Sequence, residues 1–137
     1  MTKATLVLSA LYLGAIGLAL TFAPLQFGVG AVPADAPTEL LALLRLLGGP
    51  FLGIAVLNWL TRDAAPSAGL RAVLIANLIG FGAVAANDAW GVASGEARDI
   101  ARVFLVIHAL FALAFLVAVL RERRGRDALL SGLGEAS

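Results

Sequence analysis

The sequence predicts an all-α integral membrane protein, a four-helix bundle in up-down-up-down order with both the N and C termini cytoplasmic. Three observations lead there. Hydrophobic residues make up 61% of the chain and charged residues 14%, at a mean hydropathy of +0.95, a balance far from that of water-soluble domains. Four continuous apolar stretches follow one another, and most basic residues gather on one side of them.

The stretches span about 5–23, 40–60, 70–90 and 101–120, each long enough at ~1.5 Å per residue to cross a hydrocarbon core of roughly 30 Å. They lack the period-2 alternation of barrel strands, whereas a helix satisfies its own backbone in lipid. Residues 1–120 therefore form one transmembrane domain, and 121–137 are expected to be a basic, mobile cytoplasmic tail. No internal repeat divides the domain.

The first stretch is longer than the apolar region of a secretory signal. It contains Tyr12 and leads into Pro24-Leu25-Gln26-Phe27 without a small-residue cleavage site, so it is expected to stay as a helix. The connection over 24–39 holds Gly28, Gly30, Pro33, Pro37, Asp35 and Glu39 with no basic residue and reads as an external loop. Thr38 is the expected N-cap of the second helix, with Glu39 complementing the positive end of its dipole. The connection over 61–69 reads as a short cytoplasmic turn, and 91–99 as the second external loop. Trp59 and Trp90 stand at span ends, where amphipathic rings anchor a helix at the membrane interface.

Lys3, Arg62, Arg71, Arg121, Arg123, Arg124 and Arg126, seven of the ten basic residues, flank one face of such a bundle, against Arg98 and Arg102 on the other. The positive-inside bias then sets the orientation. Within the spans, Ala10 and Gly14, Gly49 and Gly53, Ala76 and Gly80, and Gly82 and Ala86 stand four apart. These small patches are expected to let helix backbones approach in a compact bundle.

The absence of cysteine excludes disulfides, thiolate metal sites and iron–sulfur clusters. No nucleophile motif, phosphate loop or metal-ligand spacing is present, so no catalytic residue and no metal site is assigned. A net charge of +1 offers no basis for nucleic-acid binding.

Ionisable groups inside a span are costly and need an account. Arg45, Asp88 and His108 are the three here, with Asn87 beside Asp88, and they form the candidate polar cluster in the outer half of the membrane. In an antiparallel hairpin Arg45 comes level with Asp88, and Asn58 with Asn77. Side chains lean toward their own helix N-terminus, so Arg45 reaches outward and Asp88 inward, which supports the outer pair. Arg45 and Asn58 lie on different faces of one helix while Asn77 and Asp88 share a face, so the inner pair is the less expected and direct contacts at both levels are not expected together. Arg45 and Asp88 suit a register-fixing ion pair, an anion or headgroup pocket, or a snorkelling arginine. Asn58 and Asn77 suit helix–helix polar contacts.

His108 has Phe104, Phe111 and Phe115 near its face at helical spacing. It suits a hydrogen-bonded packing histidine, a single ligand to haem iron or chlorophyll magnesium, or a group for proton transfer or polar-ligand contact.

The run Arg45-Leu46-Leu47-Gly48-Gly49-Pro50-Phe51-Leu52-Gly53-Ile54-Ala55-Val56-Leu57-Asn58-Trp59-Leu60-Thr61-Arg62, then Leu70-Arg71-Ala72-Val73-Leu74-Ile75-Ala76-Asn77-Leu78, resembles a group of small bacterial four-helix membrane proteins, broadly DoxX-like. The resemblance covers the central two helices; the ends match only in length and hydropathy. It implies a bacterial inner-membrane bundle with Arg45, Asn58, Trp59 and Asn77 as recurrent features, but no reaction. Some DoxX-like proteins are associated with quinone-linked respiratory enzymes, and this sequence has no redox motif.

Three readings of function stay open. The first is a non-enzymatic structural or accessory subunit of a membrane complex, with the bilayer and a membrane-protein partner or a second copy around it. The second is a lipid-, quinone- or pigment-binding protein with an outer-leaflet polar pocket. The third is an oligomeric small-solute carrier or channel.

Overall fold

The computed structural model describes residues 2–134, and the described backbone contains helices and no strand. In order these are α1 (Thr2–Phe22), a short α2 (Pro24–Phe27), α3 (Thr38–Thr61), α4 (Ala68–Ser94) and α5 (Ala101–Gly134). α1, α3, α4 and the Ala101–Arg124 part of α5 are each long and apolar enough to cross a membrane. Their outward faces carry large apolar side chains, such as Leu46 at 72% and Leu60 at 71% exposure. Water would penalise such a surface and lipid does not. The protein is a small multi-pass membrane protein.

Local chemistry sets the helix ends. Pro24 opens α2 at a position where its missing N–H costs nothing, and the Gly28 N–H closes the turn on the Pro24 carbonyl at 2.9 Å. The N-cap of α3 is Pro37 and not the expected Thr38. The Pro37 carbonyl accepts from the Leu40 and Leu41 N–H groups at 3.0 and 3.2 Å. Thr38 is thus already helical, and no side chain caps the helix.

Ser67 caps α4, its Oγ accepting from the Leu70 N–H at 3.2 Å. Gly95 ends α4 at φ 76°, a left-handed conformation that a Cβ would strain. α5 continues past Leu120 as helix to Gly134, over most of the expected basic tail, in keeping with helix formers such as Arg, Glu, Ala and Leu over 121–134. The rest of that expected tail, 135–137, lies outside the described residues.

Two ends define the bundle. The N-terminus of α1 and the α3–α4 turn share the terminal end; the α1–α3 and α4–α5 connections share the loop end. α1 packs along α3, and α4 along α5, while α1 also touches α5. Between these pairs Leu6, Leu13, Ala55, Leu74, Phe81 and Phe115 form the core.

The tightest approach is between α1 and α3, at Gly17 and Gly48. A Cβ on Gly17 would stand 3.0 Å from the Gly48 carbonyl oxygen, and one on Gly48 would stand 2.7 Å from that of Gly17. Of the four expected small-residue patches only Ala10 and Gly14 face a neighbouring helix, and there at ordinary van der Waals distance. Ala10 is buried, and a Cβ on Gly14 would reach the Ala55 Cβ at 3.8 Å. Gly49, Gly53, Gly80 and Gly82 face open space, and no helix approaches them.

At the terminal end the Lys3 ammonium meets the Asp63 carboxylate at 2.6 Å, and the Arg62 guanidinium lies 4.3 Å over the Trp59 ring. Trp59 is held at the span end in this way, and Trp90 is exposed in the last turns of α4. The hydrogen bond from Lys3 lowers the Asp63 carboxyl below its ordinary value, opposed by desolvation and aided by the charges of Lys3 and Arg62. A lowered folded-state value means this contribution is full above the unfolded-state value and disappears as pH falls through the folded one. Both groups are exposed, so the effect on stability is small. In a carboxyl-carbon NMR titration we expect Asp63 to protonate below a free aspartyl peptide, and Lys3→Met to move the midpoint up toward the ordinary one; no change in Lys3→Met would exclude the contact.

Candidate functional site

A cavity of about 570 Å³ separates the two helix pairs, within the range of small-molecule sites. α3 and α4 hardly touch beyond their turn, so the cavity opens sideways between them. Leu47, Phe51, Ile54 and Leu57 line it from α3, and Gly80, Phe81 and Val84 from α4. Several of these are half exposed, including Leu47, Ile54 and Leu57, which marks the mouth on the side that faces lipid. Pro50, next to Phe51, interrupts the α3 hydrogen-bond ladder, a defect that membrane helices tolerate.

Polar groups meet this space at three levels. At the terminal end Asn58, fully buried, and Asn77, at 5% exposure, face each other across α3 and α4. The Asn58 Nδ2 donates to Asn77 Oδ1 at 2.9 Å, and the Asn77 Nδ2 donates back to Asn58 Oδ1 at 2.8 Å. The second Asn58 amide proton goes to Ser9 Oγ at 3.0 Å, and the second of Asn77 to the Val73 carbonyl at 2.9 Å. Ser9 in turn donates to the Leu6 carbonyl at 3.0 Å. Both amides are thereby satisfied as donors where no water is at hand, and α1, α3 and α4 are tied together.

Above them a second chain joins α1, α5 and α4. The Tyr12 hydroxyl lies 2.7 Å from His108 Nε2, and His108 Nδ1 lies 2.6 Å from Asp88 Oδ2. A carboxylate at Asp88 fixes Nδ1–H as the donor, and a neutral ring then accepts the Tyr12 O–H through Nε2. The ring packs among aromatics: Phe104 stacks on it with centroids 6.1 Å apart, while Phe81 and Tyr12 flank it at 6.1 and 5.7 Å. Both imidazole nitrogens are engaged by side chains. Ligation of haem iron or chlorophyll magnesium through Nε2 would require Tyr12 to let go. The arrangement holds an oriented phenol and a carboxylate in an apolar wall and offers a hydrogen-bonded path for a proton between them.

At the loop end stands Arg98, whose Nη1 donates to the Phe27 and Val29 carbonyls at 3.1 and 2.6 Å. Its guanidinium lies 6.0 Å from the Phe27 ring and 5.8 Å from that of Phe104.

Arg45 and Asp88 do not form the ion pair weighed from the sequence. Asp88 is taken by His108, and Arg45 is exposed with no ion-pair or hydrogen-bond partner among the described residues. At that level the cavity lies between α3 and α4, and the long Arg45 side chain is free to reach the membrane surface. Asn87 is exposed and outside the cluster. Sequence reasoning missed Ser9, Tyr12 as a partner of His108, and Arg98 as a cavity residue. Tyr12 alone had a signal, as the chain's single tyrosine placed inside a span.

Fold and site together define a multi-pass membrane protein whose bundle opens sideways into an apolar cavity with an ordered polar wall. Protein-family models, curated proteins and solved structures contain no match to this chain.

Proposed function

We propose that the chain is a non-enzymatic, DoxX-like protein of the bacterial inner membrane, with cytoplasmic termini, that binds one apolar small molecule with a polar head, such as a lipid, a quinone or a pigment. The observation behind this reading is the lateral cavity: apolar walls open to lipid, with Tyr12, Asp88, His108 and Arg98 converging on it. A ligand in the bilayer reaches such a site without crossing water, and its head replaces lost hydration with fixed polar partners. The orientation rests on the seven basic residues of the terminal end.

The test is purification in mild detergent, followed by solvent extraction and mass spectrometry of the bound small molecules. One dominant species near one per chain is expected, and Val84→Trp, which fills the cavity, should lower its occupancy about tenfold or more. An identical complement in wild type and Val84→Trp would sink the proposal.

A second reading, an accessory subunit of a larger membrane complex, is favoured by Gly49 and Gly53. Both are exposed on α3 and approached by nothing, although such glycines suit close helix docking. Gly49→Leu with Gly53→Leu should then abolish any stable higher-mass assembly seen by native mass spectrometry in mild detergent. An unchanged mass would remove this support.

A further inference from the structure

Arg98 is held in place and not neutralised. Its Nη1 is used by the backbone carbonyls of Phe27, the last residue of α2, and of Val29 just after it, and two phenyl rings flank its guanidinium. Nε and Nη2 have no protein partner, and no carboxylate lies within ion-pair distance, among the described residues. The other ionised candidate on the cavity wall, Asp88, is occupied by His108 at 2.6 Å. A fixed cation with free donors thus stands at the loop-end mouth of an apolar cavity. The remaining face of an arginine fork matches the two oxygens of a carboxylate or phosphate.

We infer that Arg98 is the headgroup site of an anionic amphiphile, whose carboxylate or phosphate takes the free guanidinium face while its alkyl tail lies along Phe51, Ile54 and Val84. This rests on the cavity's being a ligand site, as proposed above, and adds the ligand's class. The geometry suits an amphiphile better than a free anion. The walls below Arg98 are apolar over the stretch of α4 from Asp88 down to Asn77, about 16 Å at the helical rise. An inorganic anion gains nothing from such walls, whereas a tail does. Arg98 lies just before α5 begins at Ala101, at the level where a headgroup leaves the hydrocarbon.

The experiment uses the full chain in mild detergent at pH 8, titrated with three twelve-carbon probes, lauric acid, dodecyl phosphate and dodecanol, the tail of the acid being one carbon the shorter. Binding is read by native mass spectrometry. Laurate and dodecyl phosphate are expected to bind at least about tenfold tighter than dodecanol, since a hydrogen bond to a charged group supplies that much. Arg98→Gln should bring all three to the dodecanol level, and Arg98→Lys, with charge but no fork, should fall between. Val84→Trp should weaken all three alike, which checks the tail path without touching Arg98 should Arg98→Gln not fold. Equal affinity for the three probes in the wild type, or discrimination that survives in folded Arg98→Gln, would overturn the headgroup assignment and leave the cavity reading standing. Failure of every probe to bind would remove the cavity reading itself. Displacement of laurate by acetate or inorganic phosphate at matching concentration would identify a free-anion site and overturn the amphiphile.

Discussion

Gly48→Leu is expected to separate α1 from α3, lowering stability to unfolding in detergent by roughly 3 kcal/mol or more. Already the first atom of the new side chain has no room. A Cβ at Gly48 would collide with Thr21 Oγ1, stand 2.7 Å from the Gly17 carbonyl oxygen and 3.1 Å from the Thr21 backbone nitrogen. Two of these are backbone atoms, and the Thr21 hydroxyl is committed to the Gly17 carbonyl at 2.8 Å. Relief therefore needs a shift of a whole helix. Gly48→Ala should cost about 1–3 kcal/mol by the same contacts. One residue further, Gly49 has nothing within 4 Å, so Gly49→Ala should be neutral or stabilising by about 0.5–1 kcal/mol through lower chain entropy. Equal stabilities of Gly48→Ala and Gly49→Ala in a denaturant titration would exclude this crossing.

That contrast shows how far the helix contacts were legible. Number, order and approximate span of the long helices follow from hydropathy, because a membrane leaves an apolar chain few ways to satisfy its backbone. Which face meets which neighbour does not follow. A step of one residue turns the helix by ~100°, so the pairing of Gly49 with Gly53 points to open space while Gly48, beside it, makes the crossing. α2 and the Pro37 cap were equally hidden, since both depend on single backbone bonds within a proline- and glycine-rich connection.

The polar site was legible by depth and illegible by direction. Equal depth placed Asn58 opposite Asn77 and Arg45 opposite Asp88. Only the first pair meets, because α3 and α4 are in contact beside their turn and stand on opposite sides of the cavity further out. Asp88 turns instead to α5, the helix it packs along, and there His108 is level with it across the α4–α5 connection. The sequence contains no trace of which helix would close on α4. Tyr12 reaches His108 across 96 residues of chain, a separation over which no local spacing rule operates.

Asn58→Leu and Asn77→Leu are each expected to lower stability by about 1–3 kcal/mol, because each leaves the other amide buried beside hydrocarbon without its partner. The double substitution should cost less than the sum, with a coupling of about 0.6–2 kcal/mol. Leucine keeps the number of side-chain heavy atoms, so no cavity opens, and the coupling in the cycle separates the hydrogen bonds from the overpacking that its larger methyl groups bring. Ser9→Ala, which strands one Asn58 proton and no carbonyl, should cost less than either. These bonds are the main polar link between α3 and α4, and they sit at the terminal floor of the cavity. Weakening them should therefore also let the two helix pairs part, and ligand affinity should fall with stability. Strictly additive losses in the cycle would mean that the two amides do not meet; Asn58 would then be tied only to Ser9 of α1 and Asn77 only to Val73 of its own helix, and the cavity would lose its closed end.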